Sequence, residues 1–186
     1  QTFIKILDQD FNKQVTYDQI TTFDLKKSFN LTDDEYDLFF ERIHDPEEML
    51  QHSVIPGARQ VLDNGNRRGY TINILTGRPS AAHKISLQWL DRHEFTYHHF
   101  SIVNKYNRES SSGNGSICLE TLSRMSFDLA VEDSGNMAKF LSEEMDTAVA
   151  LLDRPWNRDF NFNSNVRRCA DWEQIQHEFE SLGDNS

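Results

Sequence analysis

From Pro56 onward, short apolar runs alternate with stretches whose apolar residues recur at helical spacing. Tyr70–Leu75, Tyr97–Val103, Phe127–Val131 and Thr147–Leu152 are rich in β-branched and apolar residues and read as strands. Between them lie helical patterns. Pro56-Gly57 opens one with Ala58, Val61 and Leu62 inward, ended by Asn64-Gly65 and Gly69. Ser80–His93 carries Ile85, Leu87, Trp89 and Leu90; a short helix spans Ile117–Met125, and another runs from Ser134 to near Glu144. Asp171 caps a last helix bearing Trp172, Ile175 and Phe179. Strands alternating with helices predict an α/β fold: a Rossmann-like parallel sheet, helices on both faces, right-handed crossovers.

The first part of the chain has a different texture. Gln1–Lys13 places Phe3, Ile4, Leu7 and Phe11 on one helical stripe. Thr32 and Glu35 form a capping box for a helix carrying Tyr36, Phe39, Phe40 and Ile43, which stops near Asp45-Pro46. Asp18 to Ser53 is helical, aromatic-rich and without strand patterns, so it reads as a small helical cap inserted into the α/β core. The expected division is residues 1–17 and 54–186 for the core and 18–53 for the cap.

Composition narrows the function classes. The chain has 186 residues, 37% of them hydrophobic, enough for one ordinary core. Its formal charge of −11 argues against binding a nucleic-acid polymer through a basic face, which needs clustered Lys and Arg. A small phosphate ester or a metal cation suits such a chain better. Cys118 and Cys169 are too few for a disulfide framework, which favours a reducing, cytoplasmic setting. No apolar run reaches membrane-spanning length and no signal-peptide pattern is present. Arg108–Ser116 reads as a polar loop; Asn114-Gly115-Ser116 matches a glycosylation acceptor only formally, in the absence of a secretory pattern.

Candidate chemistry gathers at predicted strand ends, where open parallel sheets bind ligands. Thr76-Gly77-Arg78-Pro79 follows the first strand and precedes a helix. The Thr76 hydroxyl, the Arg78 cation, backbone N–H groups and Gly77, which permits close approach, make an anion cradle there; the alternative is an ordinary strand-to-helix turn. Glu132-Asp133 follows the buried run Leu129–Val131, where adjacent carboxylates suit a hard divalent cation; the alternative is that Asp133-Ser134 only caps the next helix. Asp153 also falls at a strand end. The seven histidines have no clear zinc spacing.

The order of cap-like helices, VIPGARQVL, YTINILTGRP, DLAVEDS and TAVALLDRPWN resembles the haloacid dehalogenase (HAD) superfamily, and within it the 5'-nucleotidase C branch with the 5'(3')-deoxyribonucleotidases. The resemblance implies a Mg²⁺-dependent phosphomonoester hydrolase, a nucleotidase acting on (deoxy)nucleoside monophosphates through an aspartyl-phosphate. It implies that Thr76, with the Gly77 N–H close by, binds the phosphoryl group and that Glu132 and Asp133 bind or orient Mg²⁺. It also implies a phosphate-neutralising lysine, assigned to Lys105, with Lys139 as the alternative. Phe23, Tyr36, Phe39 and Phe40 of the cap are candidates to stack on a base or to form core. The superfamily's nucleophile lies in an Asp-x-Asp motif after an apolar strand. Asp8-Gln9-Asp10 has the letters, but the stripe around it reads as a helix, so the nucleophile is expected upstream of Gln1. The competing expectation is a catalytically inactive relative that binds a phosphorylated ligand or a protein partner.

Overall fold

A computed structural model of the chain describes residues 2–105 and 116–183. The polar loop around Arg108 and Asn114 lies outside the described residues. The fold is α/β, with six parallel strands among the described residues and helices on both faces. They are β1 (Asn73–Thr76), β2 (His99–Val103), β3 (Ser116–Ile117), β4 (Leu129–Glu132), β5 (Ala148–Leu152) and β6 (Val166–Cys169).

The strands pair in two groups of three, ordered β1-β2-β3 and β4-β5-β6, where the alternating pattern predicts one sheet. β1 pairs with β2 and β4 with β5, so each keeps one edge without a strand partner among the described residues. All four residues of each are half-buried, whereas Val149, Ala150 and Leu151 of β5 are at most 1% exposed. One apolar cluster nevertheless joins both groups, with Leu75, Val103 and Ile117 packing alongside Ala130, Val149 and Leu151.

β5 shows how the layers form. Val149 and Leu151 face a cluster with Leu122, Met137 and Leu141, contributed by α7 (Leu119–Leu122), α8 (Gly135–Lys139) and the π-helical turn Phe140–Glu144 that continues α8. Ala150 and Leu152 face the opposite cluster, with Val61 of α5 (Ala58–Arg67) and Ile175 and Phe179 of α9 (Trp172–Gly183). Successive side chains of a strand point to opposite faces, and here both faces are covered. α5 runs past Asn64-Gly65 because Gly65 lies against Ile72 and Phe179, where a small residue permits close packing; Gly69, at φ +90°, follows the helix end.

The first part of the chain is helical: α1 (Thr2–Phe11), α2 (Leu25–Ser28), α3 (Asp33–Ile43) and α4 (Pro46–Leu50). The capping box at Thr32 and Glu35 forms as the sequence predicts. Phe39 is 0% exposed and meets Phe3, Phe11 and Phe29 edge-to-face, with centroids 5.6–5.9 Å apart. α1 therefore shares a core with the 18–53 segment, through Ile6 and Leu7 against Ile20, Phe29, Leu31 and Ile43. α6 (His83–Arg92) runs beside α4, and Met49 packs with Ala82 and Ile85. Among the described residues no helix is long and apolar enough to cross a membrane.

Candidate active site at the strand ends

Thr76 is the last residue of β1. The Arg78 N–H donates to Thr76 Oγ1 at 3.4 Å, folding the chain back after the strand. The hydroxyl accepts there, which leaves its own proton available to a ligand. Gly77, between them, carries no side chain to block an approaching oxygen. The Arg78 guanidinium turns to α6, with Nη1 donating to Ser86 Oγ at 3.0 Å, and its burial lowers its pKa. Arg78 and Thr76 line a common cavity of about 230 Å³ with Ile74, Leu75 and Phe100. Ser86, Trp89 and Leu90 of α6 line it too, so the cavity lies between this helix and the β1–β2 pair.

In the second strand group, Glu132 ends β4 and Asp133 follows it. Lys105, just beyond β2, donates Nζ to Glu132 Oε1 at 2.8 Å, and the two side chains are only 10% and 15% exposed. This ion pair joins the C-terminal ends of the two strand groups. Ser134, not Asp133, caps α8, its Oγ accepting the Met137 N–H at 3.4 Å. Burial, and then the neighbouring Glu132 charge, push the Asp133 carboxyl up to about 6, against the opposing pull of Lys105 and Arg154. Lys139, the alternative lysine, sits in the last turn of α8.

The backbone of this acidic pair is fastened by Trp156 and Asn157 of the DRPWN stretch. The turn Pro155–Asn157 follows β5. Asn157 is 0% exposed, and its amide donates to Leu152 O at 2.8 Å and to Asp133 O at 2.9 Å. Its Oδ1 accepts from Arg154 N at 3.2 Å and Arg168 Nη1 at 2.9 Å, so the side chain is fully satisfied. Trp156 Nε1 donates to the same Asp133 carbonyl at 3.0 Å. Asp153 is held by Arg168 at 2.9 Å and Arg158 at 3.6 Å, which makes it part of this scaffold.

A second cavity, of about 400 Å³, opens between the 18–53 segment and these loops. Thr21, Thr22, Phe23, Asp24 and Lys27 form one side; Gly135, Asn136, Trp156, Asp159 and Phe160 form the other. Of the aromatic candidates, Phe23 lines this cleft; Phe39 is core, with Tyr36 and Phe40 packed against the same cluster. The sequence pattern does not mark Trp156 or Phe160 as cleft residues; the PWN triplet just past a strand end is the clue to Trp156. Asp8-Gln9-Asp10 lies on α1, with Asp10 paired to Arg42 at 3.2 Å on the surface, so these residues do not end a strand.

Chemically, the Lys105–Glu132 pair and Asp133 place a buried amine beside two adjacent carboxylates whose hard oxygens could hold a divalent cation, while the Thr76 hydroxyl lines a cavity that none of the three lines. Among the described residues no cluster of three or more His, Cys, Asp or Glu side chains forms a closed metal cage. Mg²⁺ does not require one, since it ordinarily keeps water and phosphate oxygens among its ligands.

Comparison with known proteins gives a consistent direction. The family model for the LNS2 domain of PITM 1-3 matches residues 41–132. The chain is 28% identical over 175 residues to "Putative nucleotidase BH1399" of Halalkalibacterium halodurans, covering 94% of this chain and 83% of that protein. It is 24% identical over 173 residues to "Putative nucleotidase YqfW" of Bacillus subtilis, covering 92% of this chain and 82% of that protein.

Proposed function

We propose that this protein is a phosphomonoester hydrolase of the HAD type, a nucleotidase that acts on nucleoside monophosphates. The observation that carries the reading is the Lys105–Glu132 pair beside Asp133, with a strand-end hydroxyl at Thr76, in a chain similar over nearly its whole length to proteins named as nucleotidases. Thr76 Oγ1 and the Gly77 N–H donate to the phosphoryl oxygens, and Lys105 adds positive charge. Arg78 is placed less directly: its guanidinium meets Ser86, so its part is to shape the turn through its backbone.

Glu132 and Asp133 would hold Mg²⁺. The residues fit: both offer carboxylate oxygens, and a cation would relieve the burial and like-charge repulsion that hold Asp133 near 6. Bound there, Mg²⁺ would neutralise charge developing on the phosphoryl group. The nucleophilic aspartate of this reading is expected on a further strand, and β1 and β4 each have an edge without a strand partner among the described residues at which such a strand could pair. Its carboxylate attacks phosphorus, the bond to the nucleoside oxygen breaks, and water then hydrolyses the aspartyl-phosphate. The 18–53 segment, with α1 packed against it, is the cap over the substrate, and the 400 Å³ cleft takes the nucleoside.

The test is phosphate release by the intact protein from a panel of ribo- and deoxyribonucleoside monophosphates, with Mg²⁺ and with chelator. Release is expected only with the metal. Asp133→Asn and Lys105→Met should each lower kcat/KM by about 10²-fold, the scale for removing one charge-stabilising group. Absence of release from every nucleotide would overturn the reading.

A further inference from the structure

Trp156 belongs to both halves of the candidate site. On one side its indole N–H donates to Asp133 O at 3.0 Å. On the other, its ring is met edge-on by Tyr17, with centroids 5.7 Å apart, and by Phe23 at 6.5 Å. Tyr17 and Phe23 flank the start of the 18–53 segment, and Trp156 packs against the apolar cluster of those helices while remaining half-buried. The same ring forms a wall of the 400 Å³ cleft, opposite Phe23 and near Phe160 and Asn136.

The two donors on the Asp133 carbonyl differ in kind. Asn157 is fixed, since all of its hydrogen-bonding capacity is used by backbone and Arg168. Trp156 is held by the rings of a neighbouring segment, so its indole follows whatever moves those rings or fills the cleft. A ligand resting on the ring therefore acts on a hydrogen bond to the residue next to Glu132.

We propose that Trp156 is a positioning residue whose indole couples occupancy of the cleft beneath Thr21–Lys27 to the placement of Asp133. The proposal rests on the reading of Glu132 and Asp133 as cation ligands. Its chemistry is non-covalent: a planar ring in the cleft packs on the indole face, and the N–H keeps the Asp133 peptide oriented so that its carboxylate meets the cation.

The experiment separates the ring from its N–H in the intact protein, with Mn²⁺ as the probe followed by electron paramagnetic resonance. Trp156→Phe keeps an aromatic ring but removes the donor. It is expected to weaken Mn²⁺ binding and lower kcat by roughly fivefold to tenfold, the equivalent of one hydrogen bond, with KM within about twofold of wild type. Phe23→Ala removes a cleft wall and one of the two rings that hold the indole, but keeps the indole N–H; it should raise KM and weaken Mn²⁺ binding by less than Trp156→Phe does. In the wild type, the Trp156 indole N–H resonance, one of three from Trp89, Trp156 and Trp172, should move both on Mg²⁺ addition and on nucleoside monophosphate addition. This last readout holds even if Trp156→Phe does not fold. Unchanged Mn²⁺ affinity in folded Trp156→Phe, or an indole resonance that ignores Mg²⁺, overturns the role of Trp156 while leaving the hydrolase reading intact. Failure of the wild type to bind Mn²⁺ overturns the cation reading and this proposal together.

Discussion

A carboxylate removed from water resists ionisation, and Asp133 meets that condition with Glu132 beside it. Burial first and the Glu132 charge second raise its pKa to about 6. The folded state then binds more protons than the unfolded state between the ordinary aspartate value, about 3.9, and 6. Stability falls as pH rises through that window, and the cost of the ionised group is complete above it. Asp133→Asn should therefore stabilise the metal-free protein at pH 8 by up to about 3 kcal/mol, the linkage value for a carboxyl raised from about 3.9 to about 6, which already contains the opposing pull of Lys105 and Arg154. At pH 4 or below the difference should shrink towards zero. Urea unfolding midpoints in chelator at the two pH values measure this. Destabilisation by Asp133→Asn at pH 8 would mean that the fold itself requires the negative charge.

At the scale of elements, α8 shows what sequence can and cannot convey. Its start is legible: Glu132-Asp133-Ser134 ends a strand, and a hydroxyl there caps a helix. That Ser134 rather than Asp133 does the capping is a matter of side-chain direction, which the letters leave open. Gly135, next in line, gave no sequence cue, yet a Cβ on it would lie 2.5–2.6 Å from Phe160 ring carbons. Phe160 comes from a loop more than twenty residues on, stacks parallel to Phe162 at 5.9 Å and lines the cleft. The sequence pattern does not announce β6, for a related reason. Val166-Arg167-Arg168-Cys169 is half charged, as an edge strand tolerates, and Arg168 serves the Asn157 turn. Propensity alone would favour Gly135→Ala by up to about 1 kcal/mol in a helix. The clash with Phe160 should outweigh it and destabilise the protein by about 1–3 kcal/mol, the usual cost of overpacking. Phe160→Ala should recover most of that loss in the double variant. Additive losses in the denaturation midpoints would place the strain elsewhere.

At the scale of the whole molecule, the α/β alternation was legible because buried parallel strands are apolar runs bounded by helical periods, as in Ala148–Leu152. The division of the strands into two groups was not, because hydrogen-bond partners across a sheet leave no trace in local pattern. What marks it is burial. β5, bonded on both sides, has Val149, Ala150 and Leu151 at 1% exposure or less, while every residue of β1 and β4 is half-buried. Amide exchange should report the same gradient. In a parallel ladder successive N–H groups point to alternate sides, so half the amides of β1 and β4 face the edge that has no strand partner among the described residues. For the chain of residues 1–186, those amides should exchange early, by local opening, whereas β5 amides should exchange only with global unfolding. An apolar strand docked between β1 and β4 should slow the early set specifically and leave β5 rates changed only by the gain in global stability. Uniform protection of β1, β4 and β5 in residues 1–186 alone would mean that the two strand groups already close upon each other, and would remove the place that the hydrolase reading reserves for its nucleophile.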